Sequence, residues 1–260
     1  MALNTYLAER KQARENSDQK AMIMTHVVCG YPSFEANWKA LEIMQDAGVD
    51  LVELQFPFSE PSADGPLFVK ANQAAIENGV HVDDCFTFMQ KVTKKFSFKV
   101  VMMGYYNTVF KTGHHDFLQR LKTSGGEGFI LPDLPIEEAS ELHAAAKELD
   151  LSPIILMTPT SSDARLSDLA ACADGFIYAV ARKGVTGSST NMNQEVADFI
   201  ERCQQYTNLP LAIGFGVNNK EDIDFISKHA DIAVIGTAAL KAWEANQDKG
   251  LSDFFDNLLN

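Results

Sequence analysis

Long apolar runs are missing from this chain. No stretch reaches the roughly 18 residues that a membrane-spanning helix needs, which excludes an anchor of that kind. Basic clusters are missing as well: beyond the pair Lys94-Lys95 there is no run of Lys or Arg, and the formal net charge is -13. Such a balance repels phosphate backbones and argues against nucleic acid as a partner. It leaves small anionic substrates open, because a few backbone N–H groups hold one phosphate whatever the global charge. Cysteine is scarce. Cys29, Cys85, Cys172 and Cys203 show no CxxC spacing and mostly sit among apolar neighbours, which reads as reduced, largely buried thiols in a cytoplasmic protein. The 6 histidines form no HxH or HxxxH pattern, and the adjacent His114 and His115 point to different faces of any regular element, so no metal site is expected. His26 stands apart because it lies inside an apolar run. Low-complexity tracts and short repeats are absent, and the polar stretch 1–20 does not read as a signal peptide.

What the chain does have is alternation. Short apolar runs at 21–28, 51–56, 98–103, 128–131, 153–157, 175–180, 211–213 and 232–235 are separated by amphipathic segments such as 34–47, 136–149 and 193–205. Strands that alternate with helices predict a parallel sheet with crossover helices. Closed on itself, that sheet is a (β/α)8 TIM barrel, and residues 1–260 fit one such domain. An open doubly wound sheet is the alternative; its usual GxGxxG turn is absent after the first strand, where the chain reads Cys29-Gly30-Tyr31-Pro32. Ser33, the Ser161-Ser162-Asp163 group and Asn218 or Asn219 stand where helix caps belong. An extra N-terminal helix over 5–15 and a terminal one over 252–259 are expected to cover the barrel ends.

Active sites of such barrels lie at the C-terminal ends of the strands. In Leu51-Val52-Glu53-Leu54-Gln55-Phe56, strand alternation places Leu51, Glu53 and Gln55 on one face. The apolar Val52, Leu54 and Phe56 should meet the helices, so Glu53 should point into the barrel. A carboxyl there loses solvation, which raises its pKa and suits it to proton transfer. The alternative is a structural ion pair, yet apart from Lys99 at an edge no strand run contains a Lys or Arg. The loop that follows, 57–66, holds three prolines and ends Ala63-Asp64-Gly65-Pro66. Asp64 is either a turn or capping residue or a second carboxylate at the same mouth, and two acids in different environments can divide acid and base roles. Glycine sets follow the last three strands: Gly184-Val185-Thr186-Gly187, Gly214-Phe215-Gly216 and Gly236-Thr237-Ala238. At the same end of successive strands, and before helix N-termini, they suit a phosphate group.

These residues resemble the tryptophan synthase α subunit family. The matching motifs are Glu53-Leu54-x-x-Pro57-Phe58-Ser59-x-Pro61-x-Ala63-Asp64-Gly65-Pro66, Pro132-Asp133-Leu134-Pro135-Ile136-Glu137-Glu138, Arg182-x-Gly184-Val185-Thr186-Gly187 and Gly214-Phe215-Gly216-Val217, in order along the chain. The first motif is highly specific; the glycine motifs alone fit many phosphate-binding barrels. The resemblance implies a lyase of tryptophan biosynthesis that splits indole-3-glycerol phosphate into indole and glyceraldehyde 3-phosphate. It assigns Glu53 as the acid/base, Asp64 as the partner of the indole N–H, and Tyr178 as a tyrosine beside the substrate, for which an aromatic core position is the alternative. It places the phosphate on Gly187, Gly214, Gly216, Gly236 and Thr237 and loop closure on Arg182 and Thr186. The partner implied is a β subunit in an αββα heterotetramer, met through Glu60 and the Tyr106-Asn107 segment. Pyridoxal phosphate belongs to that partner, and no cofactor is implied in this chain.

The chain departs from the family at Gln55, usually glycine, at Glu60, usually aspartate, at Thr237, usually serine, at His26, usually aromatic or apolar, and at Tyr106, where a small residue is usual after Tyr105. Three readings compete: an α subunit, a free-standing lyase on the same site, and a binding scaffold that mainly activates a β subunit. A sugar-phosphate isomerase on the same fold would not need the Pro-Phe-Ser-x-Pro loop.

Overall fold

The structure is a computed structural model that describes residues 3–15, 21–180, 194–214 and 216–259. Its eight strands are β1 (Met22–Val28), β2 (Leu51–Gln55), β3 (Lys99–Met103), β4 (Gly128–Ile130), β5 (Ser152–Met157), β6 (Ile177–Ala179), β7 (Leu211–Ile213) and β8 (Ile232–Ile235). All pair in parallel with their sequence neighbours, and β8 returns to β1, so the sheet closes into a barrel. The helices are α1 (Leu3–Glu15), α2 (Phe34–Asp46), α3 (Pro66–Glu77), α4 (Val82–Lys95), α5 (Tyr106–Thr112), α6 (His114–Thr123), α7 (Ser140–Glu148), α8 (Asp163–Cys172), α9 (Gln194–Gln204), α10 (Lys220–His229) and α11 (Thr237–Leu259).

Strand alternation sorts the side chains into two layers. Val52, Leu54 and Phe56 of β2 and its continuation join the layer between strands and helices. Leu51 joins Met22, Met24, Val101, Ile130, Ile154, Ala212 and Ile232 in a separate interior cluster, the filled barrel. Leu3 and Leu7 of α1 belong to that interior cluster, so the N-terminal helix plugs the barrel from outside the ring. It is tied down by Asp50, just before β2, which takes Arg10, Arg14 and the Ile23 N–H.

Two expectations need correction. The segment 136–149 is not one helix: Ile136–Glu138 is a 3-10 turn in which Glu138 and Ala139 bond back three residues, and α7 starts only at Ser140. Pro135 at the N-cap opens that turn, and Ala139 takes a conformation at the edge of the helical region that separates the two pieces. The terminal helix does not cover a barrel end. It continues α11 beyond a break at Asn246 and Gln247 and packs against α2, with Trp243, Leu251, Phe255 and Leu258 in the strand–helix layer. The helix caps fall where sequence placed them, with Ser33 and Ser162 accepting backbone N–H bonds, while Asn219 rather than Asn218 forms the capping box of α10. Among the described residues no helix is long and apolar enough to cross a membrane.

Candidate active site

Parity along β2 carries Glu53 into the barrel, where it is 3% exposed. Its Oε2 has no hydrogen-bond partner among the described residues. The structural ion pair is not made: Lys99 reaches Glu127 instead. What stands beside Glu53 is His26, its register partner on β1, with Nδ1 3.9 Å from Oε2. A buried carboxyl with no donor is costly to ionise. Burial, and then the nearby charge of Asp64, push the Glu53 pKa up to about 8.

Asp64 is also buried, but its surroundings are polar. Gln55 Nε2 donates to its Oδ2 at 2.7 Å and Tyr105 OH donates to the same oxygen at 2.9 Å. Burial raises its pKa, and the two donors oppose that rise by favouring the ionised form. Asp64 does close a turn, its N–H bonding to Pro61 O at 2.9 Å, but it is not the cap of α3, whose N-cap is Gly65, and its side-chain Oδ2 is turned to Gln55 and Tyr105. Loop 57–66 is held in place around this contact. Phe58 donates its N–H to the buried Asn72 of α3 and stacks on Tyr105 at 5.0 Å between ring centres, and the Ala63 N–H donates to Tyr105 OH.

Tyr178, the middle residue of β6, points to the same mouth. Burial, then the charges of Glu53 and Asp64, push its pKa well above 10, so it remains a neutral phenol. Its ring explains Gly214, where an added Cβ would lie 2.1 Å from Tyr178 Cε1. Gly216 has its own reason to be glycine, a φ of +80° that side chains rarely adopt. Gly236 has neither. A Cβ there would meet only ordinary contacts, 3.5 Å to Phe68 and 3.7 Å to His26, and Thr237 begins α11 directly after it. Arg182, Thr186 and Gly187, together with the rest of 181–193, lie outside the described residues. Glu60 and Asn107 are both exposed, on the loop after β2 and on α5 after β3.

Sequence reading missed Tyr105 and Asn72. Tyr105 was within reach: Val101, Met103 and Tyr105 continue one inward face past the last residue of β3. Asn72 shows no pattern that separates it from any polar helix residue. Among the described residues no group of three or more His, Cys, Asp or Glu could hold a metal ion.

A parallel barrel whose mouth holds two buried carboxyls in different surroundings, one short of donors and one supplied with two, has the form of an acid–base enzyme site. The chain belongs to the tryptophan synthase alpha chain family, whose sequence pattern matches residues 12–256. It is 43% identical over 256 residues to the tryptophan synthase alpha chain of Desulforapulum autotrophicum, covering 98% of this chain and 99% of that one. The corresponding chain of Desulfotalea psychrophila is 42% identical over 258 residues, covering 99% and 100%. Among solved structures, the fold is similar to a chain of Mycobacterium tuberculosis tryptophan synthase with a TM-score of 0.89 at 28% identity, covering 98% of this chain and 96% of that one. A chain from Pyrococcus furiosus, in a structure described as the basis of mutual activation of the tryptophan synthase α2β2 complex, gives 0.85 at 27% identity, covering 92% and 97%.

Proposed function

We propose that the chain cleaves indole-3-glycerol phosphate to indole and glyceraldehyde 3-phosphate in tryptophan biosynthesis, with Glu53 as acid and base and Asp64 as electrostatic partner of the indole ring. The observation that carries this reading is Glu53 itself: a buried carboxyl in the barrel mouth whose Oε2 has no hydrogen-bond partner among the described residues and whose pKa is pushed up to about 8. The bond from indole C3 to the glycerol chain breaks only when C3 is tetrahedral, so a proton must first reach C3. Glu53 carries one at neutral pH. Protonation leaves positive charge on the ring nitrogen, opposite which an ionised Asp64 is favourable. Glu53, now a carboxylate, takes the proton of the adjacent hydroxyl. The C–C pair then returns to the ring as indole, the carbinol carbon becomes the aldehyde, and Glu53 is protonated again.

The phosphate is assigned to the loops after β6, β7 and β8, with Gly214 and Gly216 following β7 and Gly236 and the first N–H groups of α11 following β8. Because the fold alone does not demand glycine at 236, Gly236→Ala should leave thermal stability nearly unchanged. The added methyl group would stand between backbone and phosphate and should weaken binding of glycerol phosphate about tenfold, or roughly 1.4 kcal/mol. Calorimetric titration checks this; unaltered affinity would move the phosphate elsewhere.

A β subunit carrying pyridoxal phosphate is the proposed partner, in an αββα assembly. Glu60 and Asn107 are exposed for it, and Phe110, on the same helix as Asn107, is 66% exposed, an apolar side chain suited to an interface. The test is indole release by the purified chain, with and without β subunit, over a range of pH. Turnover should rise with β subunit and should fall as pH passes about 8, where Glu53 loses the proton it must donate. No indole in either condition would overturn the function. Fast turnover by the chain alone, without co-elution with β subunit, would favour the free-standing lyase.

A further inference from the structure

Gln55 and His26 are the two departures from the family pattern that lie inside the barrel, and they touch each other and both carboxyls. His26 Nε2 is 2.8 Å from Gln55 Oε1, Gln55 Nε2 is 2.7 Å from Asp64 Oδ2, and His26 Nδ1 is 3.9 Å from Glu53 Oε2. The His26 ring is stacked on Phe68 at 4.3 Å, 20° from parallel, which fixes its plane. We infer that Gln55 and His26 are positioning residues that tie the charge on Asp64 to the proton on Glu53, so that the site holds Asp64 ionised and Glu53 protonated. The inference rests on the function proposed above, because that is the arrangement its first step requires.

An ionised Asp64 accepts only, so Gln55 must turn its NH2 toward it and its carbonyl toward His26. His26 Nε2 must then carry a hydrogen, and the neutral ring leaves a lone pair on Nδ1 facing Glu53. A lone pair is compatible with a carboxylic acid and unfavourable beside a carboxylate. The opposite arrangement is equally self-consistent: with Asp64 protonated, Gln55 turns over, His26 moves its hydrogen to Nδ1, and that N–H faces an ionised Glu53. Tyr105 separates the two. Its oxygen already accepts from the Ala63 N–H at 3.1 Å, so its own hydrogen goes to Asp64 Oδ2 at 2.9 Å beside that of Gln55, and two donors on one oxygen favour the ionised aspartate.

The groups facing Glu53 from the surrounding elements are consistent with this. They are His26 from β1, Asp64 from the loop after β2 and Tyr178 from β6, and Tyr105 at the end of β3 faces Asp64. Burial pulls the His26 pKa down to about 4 and pushes Tyr178 well above 10, so neither supplies a charge near neutrality. The charge of Asp64 is one cause of the raised Glu53 pKa, and the relay decides which of the two carboxyls holds the proton.

Two measurements test it. NMR of the full chain with isotope-labelled histidine should show His26 neutral and protonated on Nε2 from about pH 5 to about pH 9, with mixed tautomers in Gln55→Met. Steady-state cleavage by the complex with β subunit should then give, for Gln55→Met, a pH profile of kcat narrowed from both sides by about one pH unit. KM should change less than about threefold, because the substrate phosphate is held elsewhere. A role limited to packing would lower the amount of active enzyme without moving either limb. A His26 protonated on Nδ1 in the unsubstituted chain, or Gln55→Met limbs that coincide with those of the parent, would overturn the relay. Absence of indole release by the unsubstituted complex would instead remove the functional reading, and the tautomer would still decide the relay by itself.

Discussion

Glu53→Gln should give a chain that binds substrate and β subunit, is more stable than its parent, and releases almost no indole. The loss should be large because one carboxyl serves twice, first giving a proton to C3 and then taking one from the hydroxyl; an amide can do neither. General acid–base groups contribute about 100- to 10,000-fold each, so a drop of about 10,000-fold or more in single-turnover indole formation is expected. The gain in stability follows from the same burial. The folded pKa of about 8 lies above the ordinary 4.5, so the fold bears no penalty below 4.5 and loses stability progressively as pH rises toward 8. At ~1.4 kcal/mol per pH unit the cost is about 3 kcal/mol at pH 7. Glutamine is neutral at every pH and avoids it. Denaturant unfolding should therefore show a stabilisation of Glu53→Gln that grows between pH 4.5 and 8 and vanishes below. Cleavage near the parental rate would remove Glu53 from the mechanism, and a pH-independent stability difference would remove the argument from its buried charge.

The inward place of Glu53 is legible in the sequence because strand parity is a strong signal. In β2 the apolar Val52, Leu54 and Phe56 fix the outward face, and Glu53 follows. The closed sheet was legible for the same reason: eight apolar runs with helical stretches between them leave few other solutions. Strand ends were less legible, since β6 keeps only Ile177–Ala179 of the longer apolar run and β4 only Gly128–Ile130. Hydrophobicity continues past the last ladder bond into the strand–helix layer, so it cannot mark where pairing stops. The relay was beyond sequence for a different reason. Gln55 and His26 are visible as odd residues, but that they bond to one another depends on β1–β2 register, which pairs Val28 with Gln55 and places His26 one inward step below. Tyr105 required the further knowledge that its hydroxyl is shared between the Ala63 N–H and Asp64. Among the glycines, sequence grouped Gly214, Gly216 and Gly236 as one phosphate cradle. Geometry separates them into room for the Tyr178 ring, a left-handed turn, and a position with no steric demand from the protein.

Asp64→Asn isolates charge from shape. Both donors, Gln55 Nε2 and Tyr105 OH, converge on Oδ2, so an asparagine can place its amide oxygen there and keep both bonds. Its NH2 then takes the place of the other carboxylate oxygen. The pocket should retain its form, and KM should move little. What is lost is the negative charge opposite the indole nitrogen, which matters most when C3 has been protonated and the ring is positive. Removing a preorganised electrostatic partner of that kind costs on the order of 2–4 kcal/mol of barrier, or about 30- to 1,000-fold in rate. A second effect follows from the coupling between the carboxyls. The charge of Asp64 is one of the two causes that hold the Glu53 pKa up, after burial, so its removal should move the alkaline limb of the pH profile to lower pH. Single-turnover rates across pH read both effects at once: a lower plateau from the lost charge opposite the ring, and an earlier decline from the earlier ionisation of Glu53. An unchanged plateau would show that Asp64 acts by shape alone. A lower plateau with the limb unmoved would show that the two carboxyls do not sense each other, and Glu53 would then owe its proton to burial only.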